Sequence, residues 1–114
     1  MTDLEELSNQ IAVAGTAWVN AKQLSERLDE LKKSVLSTTM NDTEAALAVE
    51  GKSASEQKLD RLARASDVYK KHIETMVVAK KITHNYYLKY EALKNLYEAK
   101  RSDMAMERAR MNLV

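Results

Sequence analysis

The side chains best equipped for chemistry are concentrated in Tyr69-Lys70-Lys71-His72, then Lys80-Lys81, His84, Tyr86-Tyr87, Lys89-Tyr90 and Lys94. Cations interleaved with aromatic rings are what single-strand nucleic-acid binding uses: ammonium groups neutralise phosphates and rings stack on bases. Candidate nucleic-acid contacts are therefore Lys70, Lys71, Lys80, Lys81, Tyr87, Lys89 and Lys94. Helical phase supports a competing reading. Tyr69, Tyr86, Tyr90 and Tyr97 fall on an apolar stripe, where a ring belongs to the core and its hydroxyl to the edge. Tyr87 alone falls clearly off that stripe, near Lys80, Thr83 and Lys94.

Other chemistry finds no residues to carry it. His72 and His84 are twelve positions apart, about 120° around a helix, so one helix face cannot present both to a single metal. Neither His-Glu-x-x-His nor Glu-x-x-His occurs, which removes the helical zinc and di-iron patterns. With no cysteine there is no disulfide, zinc knuckle or thiol nucleophile. No Gly-rich phosphate loop, Gly-x-Ser-x-Gly elbow or paired acid/base site is present. The sequence thus predicts a chain that is not an enzyme and needs no cofactor.

The elements that must position these side chains are helices. The 114 residues include no Pro and only two Gly, and 31% are charged. A composition rich in Ala, Leu, Lys, Glu and Arg marks long helices or coiled coil. The longest apolar run, Ala45-Ala46-Leu47-Ala48-Val49, is far short of the ~20 residues a membrane span needs. The acidic start Met1-Thr2-Asp3-Leu4-Glu5-Glu6 does not read as a signal or transit peptide. A cytoplasmic protein without membrane partners is expected.

Three segments follow from periodicity and punctuation. The first helix is predicted over about 2–37, opened by a Thr2/Glu5 capping box. Its stripe runs Leu4, Leu7, Ile11, Ala14, Trp18, Ala21, Leu24, Leu28, Leu31 and Val35, with one short step at Ala21–Leu24, a stammer. Gly15 lies inside it, at a cost of about 1 kcal/mol relative to Ala, as a tolerated glycine or a close helix–helix approach. Residues 38–55 read as a connector: Ser37-Thr38-Thr39 are poor helix formers, Asn41 and Glu44 form a capping pair, and Gly51 closes a short helix over about 42–50. Ser53 and Glu56 then cap a long helix running unbroken over about 56–112. Its stripe passes through Leu59, Leu62, Ser66, Tyr69, Ile73, Met76, Ala79, Thr83, Tyr86, Tyr90, Leu93, Tyr97, Lys100 and Met104, with a short step at Met76–Ala79. The fold class is all-α: one domain, residues 1–114, an elongated antiparallel helical hairpin or coiled coil with a short connecting helix, dimerising into a helical bundle.

The dimer follows from unequal helices. A first helix of about 35 residues leaves Leu93–Val114 of a 55-residue partner uncovered, yet that stretch is apolar on one face, and isolated helices are marginal without burial. The expected partner is a second copy of the chain, held by Leu93, Leu96, Tyr97, Met104 and Met111. Trp18 is read as core or as an interface anchor. The alternatives are a frayed tail, or a tail folded back by a break near Arg101-Ser102-Asp103. Charge is uneven too: residues 1–55 carry five basic and nine acidic groups, residues 56–114 thirteen and eight. An acidic helix against a basic one suits antiparallel pairing, within or between chains.

Residues 56–114 also resemble a class of small, mostly uncharacterised phage-encoded proteins. The likeness rests on Ala65-Ser66-Asp67-Val68-Tyr69-Lys70-Lys71-His72-Ile73-Glu74, on Lys89-Tyr90-Glu91-Ala92-Leu93 and on Arg101-Ser102-Asp103-Met104-Ala105. It implies an all-helical hairpin acting as an accessory or inhibitory protein on DNA-processing or host machinery, in the host cytoplasm. No site residues carry over from it. The function expected is a non-enzymatic protein–protein interaction module, with an unidentified protein partner. The alternative is nucleic-acid binding by the basic, Tyr-containing face of the long helix.

Overall fold

The structure, a computed structural model, describes residues 2–113. The ends of the expected span, Met1 and Val114, lie outside the described residues. Three helices and no strand are present among them: α1 (Asp3–Val49), α2 (Glu56–Arg64) and α3 (Asp67–Leu113).

The start of α1 is the one the sequence predicts. The Thr2 N–H donates to Glu5 Oε2 (3.4 Å) and the Glu5 N–H donates to Thr2 Oγ1 (3.2 Å), a reciprocal capping box. Asp3, Glu5 and Glu6 in the first turn face the positive end of the helix dipole.

The end of α1 corrects the expectation. The helix does not stop near residue 37; it runs through Ser37-Thr38-Thr39 and Asn41 to Val49, so there is no separate helix over 42–50 and no Asn41/Glu44 cap. Backbone-directed hydroxyls explain the difference. Thr39 Oγ1 donates to the Val35 carbonyl (2.7 Å) and Thr43 Oγ1 to the Thr39 carbonyl (2.8 Å). This back-bonding to the i−4 carbonyl satisfies each hydroxyl inside the helix, so it does not compete for a turn. Thr39 is thereby buried at no polar cost.

Gly51 does terminate α1. Its φ is +72°, the Lys52 N–H donates to the Leu47 carbonyl (2.8 Å) and the Gly51 N–H to that of Ala48 (3.0 Å). That pair of bonds is a Schellman motif, which needs a left-handed residue.

The predicted long helix is two helices. Ser55, rather than Ser53, caps α2 by accepting from the Lys58 N–H (3.2 Å). The helix then breaks at Ala65-Ser66. The Ser66 hydroxyl donates to the Ala63 carbonyl and accepts from the Tyr69 N–H (3.3 Å), closing α2 and capping α3 with one side chain. Within α2 Arg64 bonds to Asp60 (3.0 Å), and across the break it lies over the Tyr69 ring (5.8 Å). The Asp60 hydrogen bond, then its charge, raises the Arg64 pKa above its ordinary value. The long helices are therefore of equal length, 47 residues each. Nor does α3 break at Arg101-Ser102-Asp103.

The chain groups into two compact units. One comprises residues up to Lys22 and from Ile82 onward; the other is Gln23–Lys81. In the first, α1 and α3 run antiparallel: Asp3 meets Lys100 at 3.5 Å, Gly15 lies against Tyr90, and Trp18 lies against Tyr87. Its buried residues are Leu7 and Ala14. In the second, residues of all three helices are buried: Thr39 of α1, Leu59 and Ala63 of α2, and Tyr69, Met76 and Ala79 of α3. His72 Nε2 lies 2.9 Å from the Leu28 carbonyl oxygen, which can only accept, so this nitrogen carries the proton.

Burial also decides the stammers. Ser25, not Leu24, is half-buried after Ala21, and Leu24 is 54% exposed. The seam thus keeps alternating steps of three and four there, and the short step at Ala21–Leu24 is absent. The short step at Met76–Ala79 is present, with both residues buried.

Replacing Gly51 with Ala forces a Cβ into left-handed backbone. We expect a loss of about 1 kcal/mol, measured as a lower urea midpoint with unchanged slope. An unchanged midpoint would show that the Schellman turn does not need glycine.

Candidate interaction surface

The first unit holds an aromatic cluster of Trp18, Tyr87 and Tyr90. Gly15 removes a side chain from α1 where Tyr90 approaches: a Cβ there would sit 3.2 Å from Tyr90 Cε2. Of the two readings of Gly15, the close approach is the one found. The space lets Tyr90 stack on Trp18, with centroids 5.5 Å apart and planes 21° from parallel. Tyr87 lies against the same indole at 5.1 Å, tilted by 55°. Two ammonium groups finish the cluster, Lys22 over Trp18 (5.8 Å) and Lys94 over Tyr90 (5.1 Å). Each supplies a cation–π contact to a half-covered ring. Tyr87 is therefore not a ring standing apart from the apolar stripe; it packs on Trp18.

Shallow recesses flank this seam. One is lined by Ile11, Gly15, Trp18, Val19 and Tyr90 among others. The other is lined by Glu6, Val13 and Ala17 from α1 and by Tyr86, Lys89 and Leu93 from α3. The second is markedly apolar for an open surface: Val13 is 72% exposed and Tyr86 40%.

The residues expected to drive association fall into three environments. Leu93 and Tyr97 are half-buried within the unit's own seam, and Leu93 also lines the second recess. Leu96 and Met104 are exposed, as are Met106 and Met111, the last at 72%. Trp18 is half-buried at the centre of the aromatic cluster. The uncovered stretch expected from Leu93 onward thus begins later. Lys100 still pairs with Asp3, and a recess between Thr2, Leu4 and Met104 marks the end of the covered seam. Residues 101–113 are all exposed. The reason is the helix count: α1 is longer and α3 shorter than periodicity alone indicated.

The candidate nucleic-acid contacts divide between the units. Lys70, Lys71, Lys80 and Lys81 belong to the second, Tyr87, Lys89 and Lys94 to the first. All seven are exposed. Lys80 lies 4.0 Å from Asp29, and Lys94 lies 3.4 Å from Glu91 as well as over Tyr90. Lys89 sits on the edge of the apolar recess. Among the described residues, no group of three or more His, Cys, Asp or Glu could hold a metal ion, and no helix is long and apolar enough to cross a membrane.

In comparisons with known proteins, no family model, curated protein or solved structure matches this chain.

The aromatic cluster makes Trp18, the only tryptophan, a reporter of the seam. Gly15→Val drives a branched side chain into the Tyr90 ring. We expect it to cost 1–3 kcal/mol, the usual range for overpacking, and to change the Trp18 emission maximum in the folded state. Unaltered emission with unaltered stability would contradict the close approach.

Proposed function

We propose that this chain is a non-enzymatic protein–protein interaction module that self-associates, most simply as a dimer forming a helical bundle. One observation supports this above the others: the first unit leaves Val13, Tyr86, Leu96 and Met104 exposed, while Leu7 and Ala14 are its buried apolar residues among those described. Val13 and Tyr86 line one recess, and contiguous exposed apolar surface supports a reading as a partner site. The exposed methionines of residues 104–111 are adaptable packing groups suited to the same work. The resemblance of residues 56–114 to phage-encoded accessory proteins is consistent with a partner among DNA-processing or host proteins.

Light scattering on the full chain at micromolar concentration tests self-association. The expected mass is twice 12.9 kDa; a monomer at all accessible concentrations would remove the dimer.

A second reading has its own observation. The helix α3 carries ten basic and six acidic residues, with Lys70, Lys71, Lys81 and Lys89 exposed along it. Binding of single-stranded DNA through these lysines would weaken steeply between 50 and 200 mM salt, on the order of 10³-fold or more if six or so phosphates are neutralised. Titration at the two salt concentrations checks it, and no binding at the lower one eliminates it.

A further inference from the structure

The association proposed above can be given a face and a geometry. In the first unit the apolar recess lined by Val13, Ala17, Tyr86 and Leu93 has edges of opposite charge, Glu6 on the α1 side and Lys89 on the α3 side. The same bias holds for the whole unit. Its α1 part carries Asp3, Glu5 and Glu6 against Lys22, net −2, and its α3 part from Ile82 onward carries six basic and four acidic residues, net +2. A surface with an apolar centre, one acidic edge and one basic edge is complementary to itself under one kind of two-fold axis. An axis parallel to the helices lays each α1 over the partner's α3, so unlike edges meet. An axis perpendicular to them stacks α1 on α1 and α3 on α3, so like edges meet. Two-fold association requires a self-complementary patch, and juxtaposed like charges oppose it.

We infer that a second copy of this chain occupies the Val13–Tyr86–Leu93 recess, with α1 of each protomer lying against α3 of the other. This inference rests on the self-association proposed above. The apolar centre supplies the attraction, and the unlike edges select the orientation.

The absence of cysteine makes the test clean. Val13→Asp places a carboxylate at the centre of the recess, on a side chain already 72% exposed, and should weaken the dimer at least tenfold with unchanged far-UV circular dichroism. Val13→Ser, which adds no charge, should weaken it less but measurably. Orientation is read from Gln10→Cys on α1 and Ala92→Cys on α3, an exposed position one turn from Lys89 that leaves its charge in place, treated with a short bis-maleimide. A mixture of the two variants should cross-link more efficiently than Gln10→Cys alone. Dimer affinity should also fall as salt rises. A dimeric parent with both Val13 variants equally dimeric overturns the face. Gln10→Cys cross-linking to itself as well as in the mixture overturns the orientation. Either result leaves self-association standing, whereas a monomeric parent removes that reading and this inference together.

Discussion

A helix with one neighbour can cover only a stripe of its circumference, and that limit governs most of what is seen here. In the first unit α1 and α3 have only each other, and Leu7 and Ala14 are the residues that become buried. In the second, where α2 also contributes, the buried residues are Thr39, Leu59, Ala63, Tyr69, Met76 and Ala79, with Ala63 fully enclosed. No large side chain is fully buried anywhere among the described residues. Because the hydrophobic contribution scales with apolar area removed from water, half-buried side chains such as Trp18, Tyr90, Leu93 and Tyr97 matter to the first unit as well as its fully buried residues.

The first unit compensates with groups suited to half-burial. Trp18, Tyr87 and Tyr90 each offer a broad apolar face and a polar tip, so they contribute packing without full enclosure. Gly15 lets the Tyr90 ring approach the α1 backbone, and Lys22 and Lys94 cover exposed ring faces. The glycine's loss of helix propensity is offset by contact that a side chain at position 15 would obstruct.

Much of the fold is legible in the residues because the physics involved is local. The Thr2/Glu5 box and the Gly51 terminus act within one turn, and both appear where the spacing places them. The misreadings share a different cause. Ser37-Thr38-Thr39 look like poor helix formers by composition, but the Thr39 hydroxyl finds the carbonyl of Val35 and the helix continues. Ser66 looks like an ordinary helical position in an Ala-rich stretch, yet it caps one helix and closes another. In each case a hydroxyl can bond the backbone within a helix or at its end, and residue type alone does not say which. Leu24 shows the same limit for periodicity: the apolar residue lies next to the seam, and Ser25 lies in it. The aromatic cluster was only partly legible. Tyr90 was on the stripe, but the pairing of Tyr87 with Trp18 depends on inter-helix register, which the spacing along one helix does not determine.

The Schellman turn at Gly51 has a consequence for the order in which the structure assembles. Helices paired through one reversal enclose loops that lengthen steadily away from it. The Leu28–His72 contact closes a separation of 44 residues, and the Asp3–Lys100 pair closes roughly twice that. Each doubling adds only about 0.6 kcal/mol of closure entropy, a gentle gradient but one with a constant direction. Pairing that begins beside Gly51 and advances toward Asp3 and Lys100 meets the smallest entropic step at every stage.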